Sequence, residues 1–141
     1  EAHGATGRIN YQTEDLKKAA KAFGGIDIVY DPVGGSYAEP ALRALRPEGR
    51  HLVIGFAAGD IPAIRLNLCL LKECEIVGVA WGAWAMRHPE KHSAHMTSLL
   101  ELWAQKKLRP HVSKSYPFAE ASAALHAMDR REVHGKIVLV P

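Results

Sequence analysis

The chain has 141 residues, of which 48% are hydrophobic and 23% charged, a composition that supports one domain with a real core and argues against a disordered or disulfide-built chain. The net charge of +3 comes from scattered lysines and arginines without interleaved aromatics, which argues against nucleic acid as a partner. No segment is apolar over a membrane-spanning length. Cys69 and Cys74 are too few for a zinc ribbon, so we expect buried thiols in a cytoplasmic protein.

The first elements are a short strand candidate at residues 8–11 and a predicted amphipathic helix over residues 14–23. Thr13 is the expected N-cap of this helix, because its hydroxyl can accept from a free backbone N–H. Carboxylates in the first turn favour the same start through the helix dipole. The pair Gly24-Gly25 is expected to end the helix.

Three short apolar runs have the pattern of buried parallel strands. They lie at residues 26–30, 51–56 and 75–81. A helix over about 37–46 is predicted between the first two, with Ser36 and Glu39 as a capping box. A helical turn at Leu68–Lys72 is predicted before the third. Alternation of strands and helices predicts an α/β fold with a mostly parallel sheet.

Beyond these strands, the spacing of apolar residues predicts the longest helix from about Pro89 to Lys107. A proline-containing loop is expected after it, followed by a last helix over about 119–129. Gly135 is expected to turn the chain into a final strand at residues 136–140. The pattern therefore continues as helix and strand to the end of the sequence.

Several short segments, taken together and in order, resemble one family. They are residues 9–11 (INY), 27–34 (DIVYDPVG), 49–56 (GRHLVIGF), 78–82 (GVAWG) and a closing set at 108–112, 116–118 and 134–139. On these segments the chain resembles the medium-chain dehydrogenase/reductase superfamily, and is most similar to its zinc-independent quinone oxidoreductase (zeta-crystallin-like) branch. The resemblance covers nearly the whole chain but only the last part of a typical member, so we interpret the chain as a carboxyl-terminal fragment.

The resemblance implies a partial Rossmann-like fold, a doubly wound parallel sheet with flanking helices. The first strands and the G-x-G-x-x-G turn that would bind pyrophosphate are not in this sequence. Residues 1–107 correspond to the carboxyl-terminal half of a dinucleotide-binding domain, and residues 108–141 to a closing segment that returns to the catalytic domain. By the resemblance, residues 8–11 are strand 3 and residues 26–30 are strand 4, and the missing strands 1 and 2 normally lie between them. We therefore expect residues 8–11 either to move beside residues 26–30 or to pair by domain swapping.

The resemblance also implies NADPH as the cofactor and assigns a set of residues to its site. These are Tyr11, Val33, Gly34, Gly55, Phe56, Ala80, Trp81 and Gly82. Tyr11 matches a tyrosine at the adenosine end, and Gly34 lets the ribose approach the backbone. Phe56 would form an apolar wall beside the nicotinamide, while backbone groups at residues 80–82 would hold its carboxamide.

Structural interpretations of the same residues stay open. The two glycines can simply serve tight turns, Phe56 and Trp81 can be core aromatics, and Tyr11 can shield a helix from solvent. Lys136 follows the glycine of the closing motif and is either a solvated lysine or a residue that approaches the cofactor cleft.

By this resemblance the intact protein is an NAD(P)H-dependent oxidoreductase. It would reduce a small molecule, a quinone or an α,β-unsaturated carbonyl, by direct hydride transfer. No residue of this chain is assigned as catalytic, and we expect the fragment to be inactive and to bind NADPH weakly or not at all. The alternative is a non-catalytic short protein that uses the sheet for dimerisation. A zinc-dependent alcohol dehydrogenase is disfavoured by Phe56 and the short Val79–Gly82 segment.

Two further expectations concern partners and metals. In this family the edge strand pairs across a dimer axis, which implies a homodimer through residues 75–81. His88, His92 and His95 are spaced to lie on one helical face and could bind zinc. However, Pro89 places the first at a helix start, the other two continue an apolar stripe, and the family's zinc ligands lie upstream. We therefore expect no metal site.

Overall fold

The computed structural model describes residues 4–141, and the contacts divide the chain into two units with a boundary between Trp84 and Ala85. The first unit contains helix α1 (Leu16–Ala22), strand β1 (Ile26–Asp31), helix α2 (Ala38–Ala44), strand β2 (Leu45–Val53), helix α3 (Asn67–Lys72) and strand β3 (Glu75–Gly78). Helix α4 (Trp81–Arg87) spans the boundary. The second unit contains helix α5 (Pro89–Ala104), strand β4 (Val112–Pro117), helix α6 (Ala121–Asp129) and strand β5 (Lys136–Val140).

The first unit is built on a parallel sheet with the strand order β1-β2-β3. Each strand is followed by a connection that contains a helix, as parallel pairing requires. Leu42, Leu45 and Leu68 form the buried core of this unit, and half-buried Ile26 and Val29 of β1 pack against them. The predicted α/β class and the partial doubly wound sheet are confirmed.

The predicted strand at residues 8–11 is wrong. The sheet of the first unit contains only β1, β2 and β3 among residues 4–141, so nothing at 8–11 pairs beside β1. Asn10 begins a turn in which its carbonyl accepts from the backbone N–H of Thr13 at 3.0 Å and of Glu14 at 2.8 Å. The Glu14 carboxylate accepts in return from Asn10 N–H at 2.6 Å. These local hydrogen bonds satisfy backbone groups that a strand would have paired with a neighbour.

The predicted helix over 14–23 is confirmed as α1, but Thr13 is not its N-cap. The Asp15 carboxylate accepts from Lys18 N–H at 2.9 Å and caps the helix. Phe23 follows the last helical residue, and the N–H of Gly24, at φ 87°, bonds to the Lys21 carbonyl at 2.9 Å. The double glycine therefore ends the helix as expected.

Removing the cap carboxylate is expected to destabilise the first unit. We expect Asp15→Ala to lower the free energy of unfolding by about 1 kcal/mol, because the Lys18 N–H loses its acceptor. Asp15→Asn keeps an acceptor oxygen at the same position and should lie close to the wild type. Thr13→Ala is the matched control, and urea unfolding followed by circular dichroism measures all three. A larger loss for Thr13→Ala than for Asp15→Ala would overturn the assignment of the cap.

Helix α2 begins and ends differently from the prediction. A 3-10 turn at Gly35–Tyr37 runs directly into it, and its N-cap, Tyr37, makes no side-chain capping bond. Ser36 and Glu39 therefore form no capping box, and the Glu39 carboxylate instead pairs with Arg43 at 2.7 Å. The helix ends at Ala44 rather than near residue 46, because the chain enters β2 at once.

Strand β2 is longer than predicted at its start and shorter at its end. Ile26 pairs with Leu45, but Ile28 already pairs with Arg50, so residues 46–49 bulge out of the ladder. Arg46 fixes this bulge by donating to the Gly24 carbonyl at 2.8 Å and to both Asp27 oxygens at 2.8 and 3.0 Å. Residues 54–56, predicted as strand, form the loop that follows it. Strand β3 likewise ends at Gly78 rather than at residue 81, because helix α4 begins at Trp81.

The second unit contains a strand that the sequence did not predict. Strand β4 pairs in parallel with β5, from Val112 opposite Lys136 to Pro117 opposite Val140. The predicted proline-containing loop is therefore partly wrong, whereas the helix over 119–129 and the strand over 136–140 are confirmed as α6 and β5. Gly135 has φ 94°, and a Cβ there would lie 2.6 Å from the His111 carbonyl oxygen, so the turn requires glycine. No helix within residues 4–141 has the length and apolar character needed to cross a bilayer.

Candidate functional site

The candidate site lies where the three parallel strands of the first unit end. Asp31, the last residue of β1, is in register with Val53 of β2, and Val53 is in register with Gly78 of β3. The segments that follow these residues, 32–35, 54–58 and 79–82, therefore start at one edge of the sheet. Open α/β sheets bind ligands at this carboxyl edge.

Asp31 is the buried centre of this edge, with 9% of its surface exposed. Its Oδ1 accepts from the backbone N–H of Val33 at 2.9 Å and of Gly34 at 2.8 Å. Its Oδ2 lies 3.1 Å from Nε2 of His51, which is 2% exposed. Since a carboxylate can only accept, Nε2 carries the hydrogen in this bond. One side chain thus fixes the turn after β1 and ties it to β2.

The backbone joins the same turn to the loop after β2. The Asp31 carbonyl accepts from the N–H of Ile54 at 2.9 Å and of Gly55 at 3.3 Å. Further bonds run from Ala57 N–H to the Pro32 carbonyl at 3.1 Å and from Ala58 N–H to the Val33 carbonyl at 2.9 Å. The two loops therefore form one continuous hydrogen-bonded rim, defined here as residues 31–34 and 54–58.

Gly34 occupies a position in this rim that no other residue fits. Its φ is 68° and its ψ −140°, a combination essentially restricted to glycine. A Cβ built on it would lie 2.7 Å from Cδ1 of Phe56, so the ring is in close contact with the glycine backbone. A Cβ on Gly55 would lie 3.3 Å from the Pro32 carbonyl oxygen. Both glycines allow close approach of backbone, and Phe56 keeps 39% of its surface exposed beside them.

The third segment of the edge, Ala80–Gly82, reaches it through strand register. Val79 N–H continues the ladder by donating to the Val53 carbonyl at 2.9 Å. The Ala80 carbonyl accepts from Trp84 N–H at 3.0 Å as α4 begins. Trp81, the first residue of that helix, is 56% exposed, which argues against the core-aromatic interpretation. A Cβ on Gly82 would meet nothing within 4 Å.

Tyr11 lies close to the turn after β1, although the strand predicted for it does not form. Its ring packs edge-to-face on Tyr37 with 4.7 Å between ring centroids. Tyr11 and Val33 line the same cleft of about 170 Å³. Tyr11 also lines a wider groove of about 710 Å³ together with Gly35 and Ser36. The structure therefore brings Tyr11 near the predicted site residue Val33.

His51 is the site residue that sequence reasoning missed. The signal was a polar residue within an apolar run, two residues after Gly49. Because His51 pairs with Val29 and side chains alternate along a strand, His51 lies diagonally next to Asp31 on the same face. Among residues 4–141, its Nδ1 is buried without a hydrogen-bond partner, which leaves the bond to Asp31 as its polar anchor.

The remaining candidates form no second site. Within residues 4–141, no three His, Cys, Asp or Glu side chains are grouped in a way that could hold a metal ion, so the spacing of His88, His92 and His95 does not assemble a metal centre. Lys136 is the exposed first residue of β5, and its N–H donates to the His111 carbonyl at 2.8 Å.

The rim combines a bare stretch of backbone with an exposed aromatic ring. Gly34 excludes a Cβ, and at Gly55 a Cβ would be in tight contact with the Pro32 carbonyl oxygen. Both positions lie next to the exposed ring of Phe56, and the carboxyl edge adjoins the groove lined by Tyr11. Such a bare backbone can approach a ribose, and a flat ring can face a nicotinamide.

Comparison with known proteins identifies the family. A family model described as zinc-binding dehydrogenase matches residues 3–139. Quinone oxidoreductase-like protein 2 of Bos taurus is 33% identical over 139 residues, which is 96% of this chain and 40% of that protein. The 2-haloacrylate reductase of a Burkholderia species is 30% identical over 146 residues, which is 94% of this chain and 41% of that protein.

Solved structures with a similar fold are also described as oxidoreductases. A probable oxidoreductase from Mycobacterium abscessus matches with a TM-score of 0.79 at 34% identity, covering 98% of this chain and 41% of that chain. The Escherichia coli quinone oxidoreductase complexed with NADPH matches with a TM-score of 0.81 at 24% identity, which shows a shared fold over 94% of this chain and 42% of that one. The chain thus spans about two-fifths of the length of these proteins. It belongs to the zinc-binding dehydrogenase family, in the quinone oxidoreductase-like group of the medium-chain dehydrogenase/reductase superfamily.

Proposed function

We propose that the natural-length protein carrying this chain is a cytoplasmic NADPH-dependent oxidoreductase that transfers hydride to a quinone or an α,β-unsaturated carbonyl. The observation that carries the proposal is the rim, in which Gly34, Gly55 and Phe56 meet at the carboxyl edge of a parallel sheet. The names of the relatives support a reductase of quinones or conjugated acids. A structure of the same fold contains NADPH, which supports the choice of cofactor.

Each segment of the edge has a proposed role in holding NADPH. Gly34, with Val33 beside it, would admit the ribose close to the backbone, since any side chain at Gly34 is excluded by Phe56. Gly55 and the exposed face of Phe56 would lie beside the nicotinamide. The backbone of Ala80–Gly82 would hold the carboxamide, with Trp81 at the entrance. Tyr11 would contact the adenosine end from its place against Tyr37.

The contribution of these residues is orientation. When bound, the reduced nicotinamide supplies the hydride. The hydrogen bonds of Asp31 hold the rim in one geometry, so a ring lying on it is fixed relative to the substrate. The apolar ring of Phe56 would exclude water from one side of the nicotinamide. We assign no proton transfer to this chain.

The division of the protein into domains is part of the proposal. Residues 1–107 would complete a dinucleotide-binding domain together with an upstream half that carries the glycine-rich turn. Residues 108–141, which include β4, α6 and β5, would return to the catalytic domain. The substrate pocket would then be formed mostly by residues outside this chain.

The proposal is tested by NADPH titration of the natural-length protein and of this chain, monitored by cofactor fluorescence. The natural-length protein should bind NADPH and oxidise it when a simple quinone is added. This chain alone should bind weakly or not at all, because the sequence has no G-x-G-x-x-G turn to neutralise the pyrophosphate. Submicromolar binding by this chain would contradict that expectation. A natural-length protein that neither binds nor oxidises NADPH would overturn the proposed function.

Gly82→Ala separates a cofactor contact from a structural role. The added Cβ meets no protein atom within 4 Å and lies in helix α4. We therefore expect the free energy of unfolding to rise by less than about 1 kcal/mol, because Gly82 is the second residue of the helix and not in its interior. If the backbone at residue 82 holds the carboxamide, the same change should weaken NADPH binding by the natural-length protein. A variant that is more stable and binds NADPH normally would remove Gly82 from the site.

A non-catalytic role in dimerisation is favoured by one separate observation. Within the described sheet, β3 pairs with β2 on one side only, and Ile76 and Val79 next to its open edge are 40% and 36% exposed. We propose a homodimer through residues 75–81, formed by edge pairing. Sedimentation velocity should show a dimer, and a monomer at high concentration would contradict it. A dimer without NADPH oxidation by the natural-length protein would favour the non-catalytic role.

A further inference from the structure

The connection between α3 and β3 brings two cysteines together. Glu73 is in the left-handed conformation, with φ 52° and ψ 46°, at the end of α3. Its N–H bonds to the Leu70 carbonyl at 3.3 Å, and the N–H of Cys74 bonds back to the Cys69 carbonyl at 3.2 Å. These two bonds define a Schellman motif, in which the residue after the left-handed position packs its side chain on the residue five positions earlier.

In this motif the packed pair is Cys69 and Cys74. Such contacts are normally made by two apolar side chains, but here both partners are thiols, and each is free and half-buried. Burial raises the pKa of the Cys74 thiol, and the Cys69 thiol raises it further through its charge and a side-chain hydrogen bond. The Schellman motif therefore holds the two thiol-bearing residues side by side through backbone geometry.

We propose that Cys69 and Cys74 are a redox-active pair that closes to an intrachain disulfide when it meets a low-molecular-weight disulfide such as oxidised glutathione. The Cys69 thiolate attacks one sulfur of the external disulfide and expels one glutathione thiolate. The Cys74 thiolate then attacks Cys69 Sγ and expels the second. The protein loses two protons and two electrons, and the external disulfide gains them as two glutathione thiols.

The structure favours closure over the mixed disulfide. Cys74 N–H donates to the Cys69 carbonyl, with 3.2 Å between nitrogen and oxygen. This bond keeps the two residues together, so the second thiol has only a short way to move to the sulfur that it attacks. Cys74 also packs against the core of Leu42, Leu45 and Leu68, and β3 starts at the next residue. The disulfide would therefore tie the end of α3 to the start of the outer strand of the sheet.

The experiment incubates the reduced chain with oxidised glutathione and follows intact mass and free thiols. The wild type should lose about 2 Da and both thiols, release two glutathiones, and accumulate little mixed disulfide. Cys69→Ser and Cys74→Ser should each stop at a glutathione adduct of about +305 Da, which dithiothreitol removes. The oxidised wild type should also unfold at a higher urea concentration than the reduced wild type, whereas the single variants should show no such rise.

Other outcomes overturn the proposal. A wild type that stops at one or two glutathione adducts would show that the thiols cannot reach each other. Covalent dimers on a non-reducing gel would show that the cysteines pair between chains instead. None of these readouts involves NADPH, so the result is independent of the proposed oxidoreductase function.

Discussion

Asp31→Ala is expected to lower the free energy of unfolding by about 3 kcal/mol. The change removes the acceptor of two backbone N–H groups, at Val33 and the buried Gly34, and the partner of the buried His51. Each buried group left unsatisfied costs about 1–3 kcal/mol. The turn after β1 would then lose its fixed shape. We expect NADPH binding by the natural-length protein to weaken by about tenfold or more, because small displacements of a positioning segment are costly.

Two variants separate the contributions of the carboxylate. Asp31→Asn keeps an oxygen that can accept from Val33 and Gly34, so it should cost about 1 kcal/mol. His51→Phe leaves those two bonds in place but removes the partner of Oδ2, and it should cost more than Asp31→Asn because a buried carboxylate loses its donor. Urea unfolding of this chain measures stability, and fluorescence titration of the natural-length protein measures Kd. Equal stability of Asp31→Ala and Asp31→Asn would show that the capping bonds contribute nothing.

The parts of the site that the sequence predicts are those set by local rules. Gly34 and Gly55 follow apolar runs, and a glycine at the end of a parallel strand indicates a close backbone approach before any contact is known. The carboxyl edge follows from the parallel order of β1, β2 and β3. Asp31 caps the turn after β1 with Oδ1, a bond that a short carboxylate readily makes to the backbone two or three residues on.

The parts that the sequence does not predict depend on pairing between distant residues. His51 becomes a partner of Asp31 only through the register of β1 and β2, which the bulge at residues 46–49 shifts. Strand β4 is almost entirely exposed and lacks an alternating apolar pattern, so only its pairing with β5 reveals it. Residues 8–11 are a strand candidate in the sequence, but a strand needs a neighbour, and a turn at Asn10 uses the same backbone groups.

The choice between Thr13 and Asp15 as the N-cap shows a different limit of prediction from sequence. Both residue types cap helices, and they lie two positions apart. The carbonyl of Asn10 already binds the N–H of Thr13 and Glu14 in a turn, which delays the helix start to Leu16. Competition between local turns is decided by hydrogen-bond geometry, and sequence preference alone cannot rank such close alternatives.

Gly34→Ala tests the rim most directly, because the substitution introduces two separate penalties. The backbone at φ 68° and ψ −140° is strained for alanine, and the new Cβ would lie 2.7 Å from Cδ1 of Phe56. We expect the free energy of unfolding to fall by about 3 kcal/mol. Gly78→Ala is the matched control, since its Cβ meets nothing within 4 Å and its φ is not in the left-handed range. It should change stability by less than about 1 kcal/mol.

The double variant Gly34→Ala/Phe56→Ala separates the steric clash from the backbone strain. Removing the ring relieves the clash but not the strain, so the double variant should lose less than the sum of the two single losses. NADPH binding by the natural-length protein should show no such partial recovery in the double variant. Both single variants should weaken binding, and the double variant should not recover it, because the proposed nicotinamide wall is then absent. Recovery of binding in the double variant would show that Phe56 only packs against Gly34 and has no part in holding the cofactor.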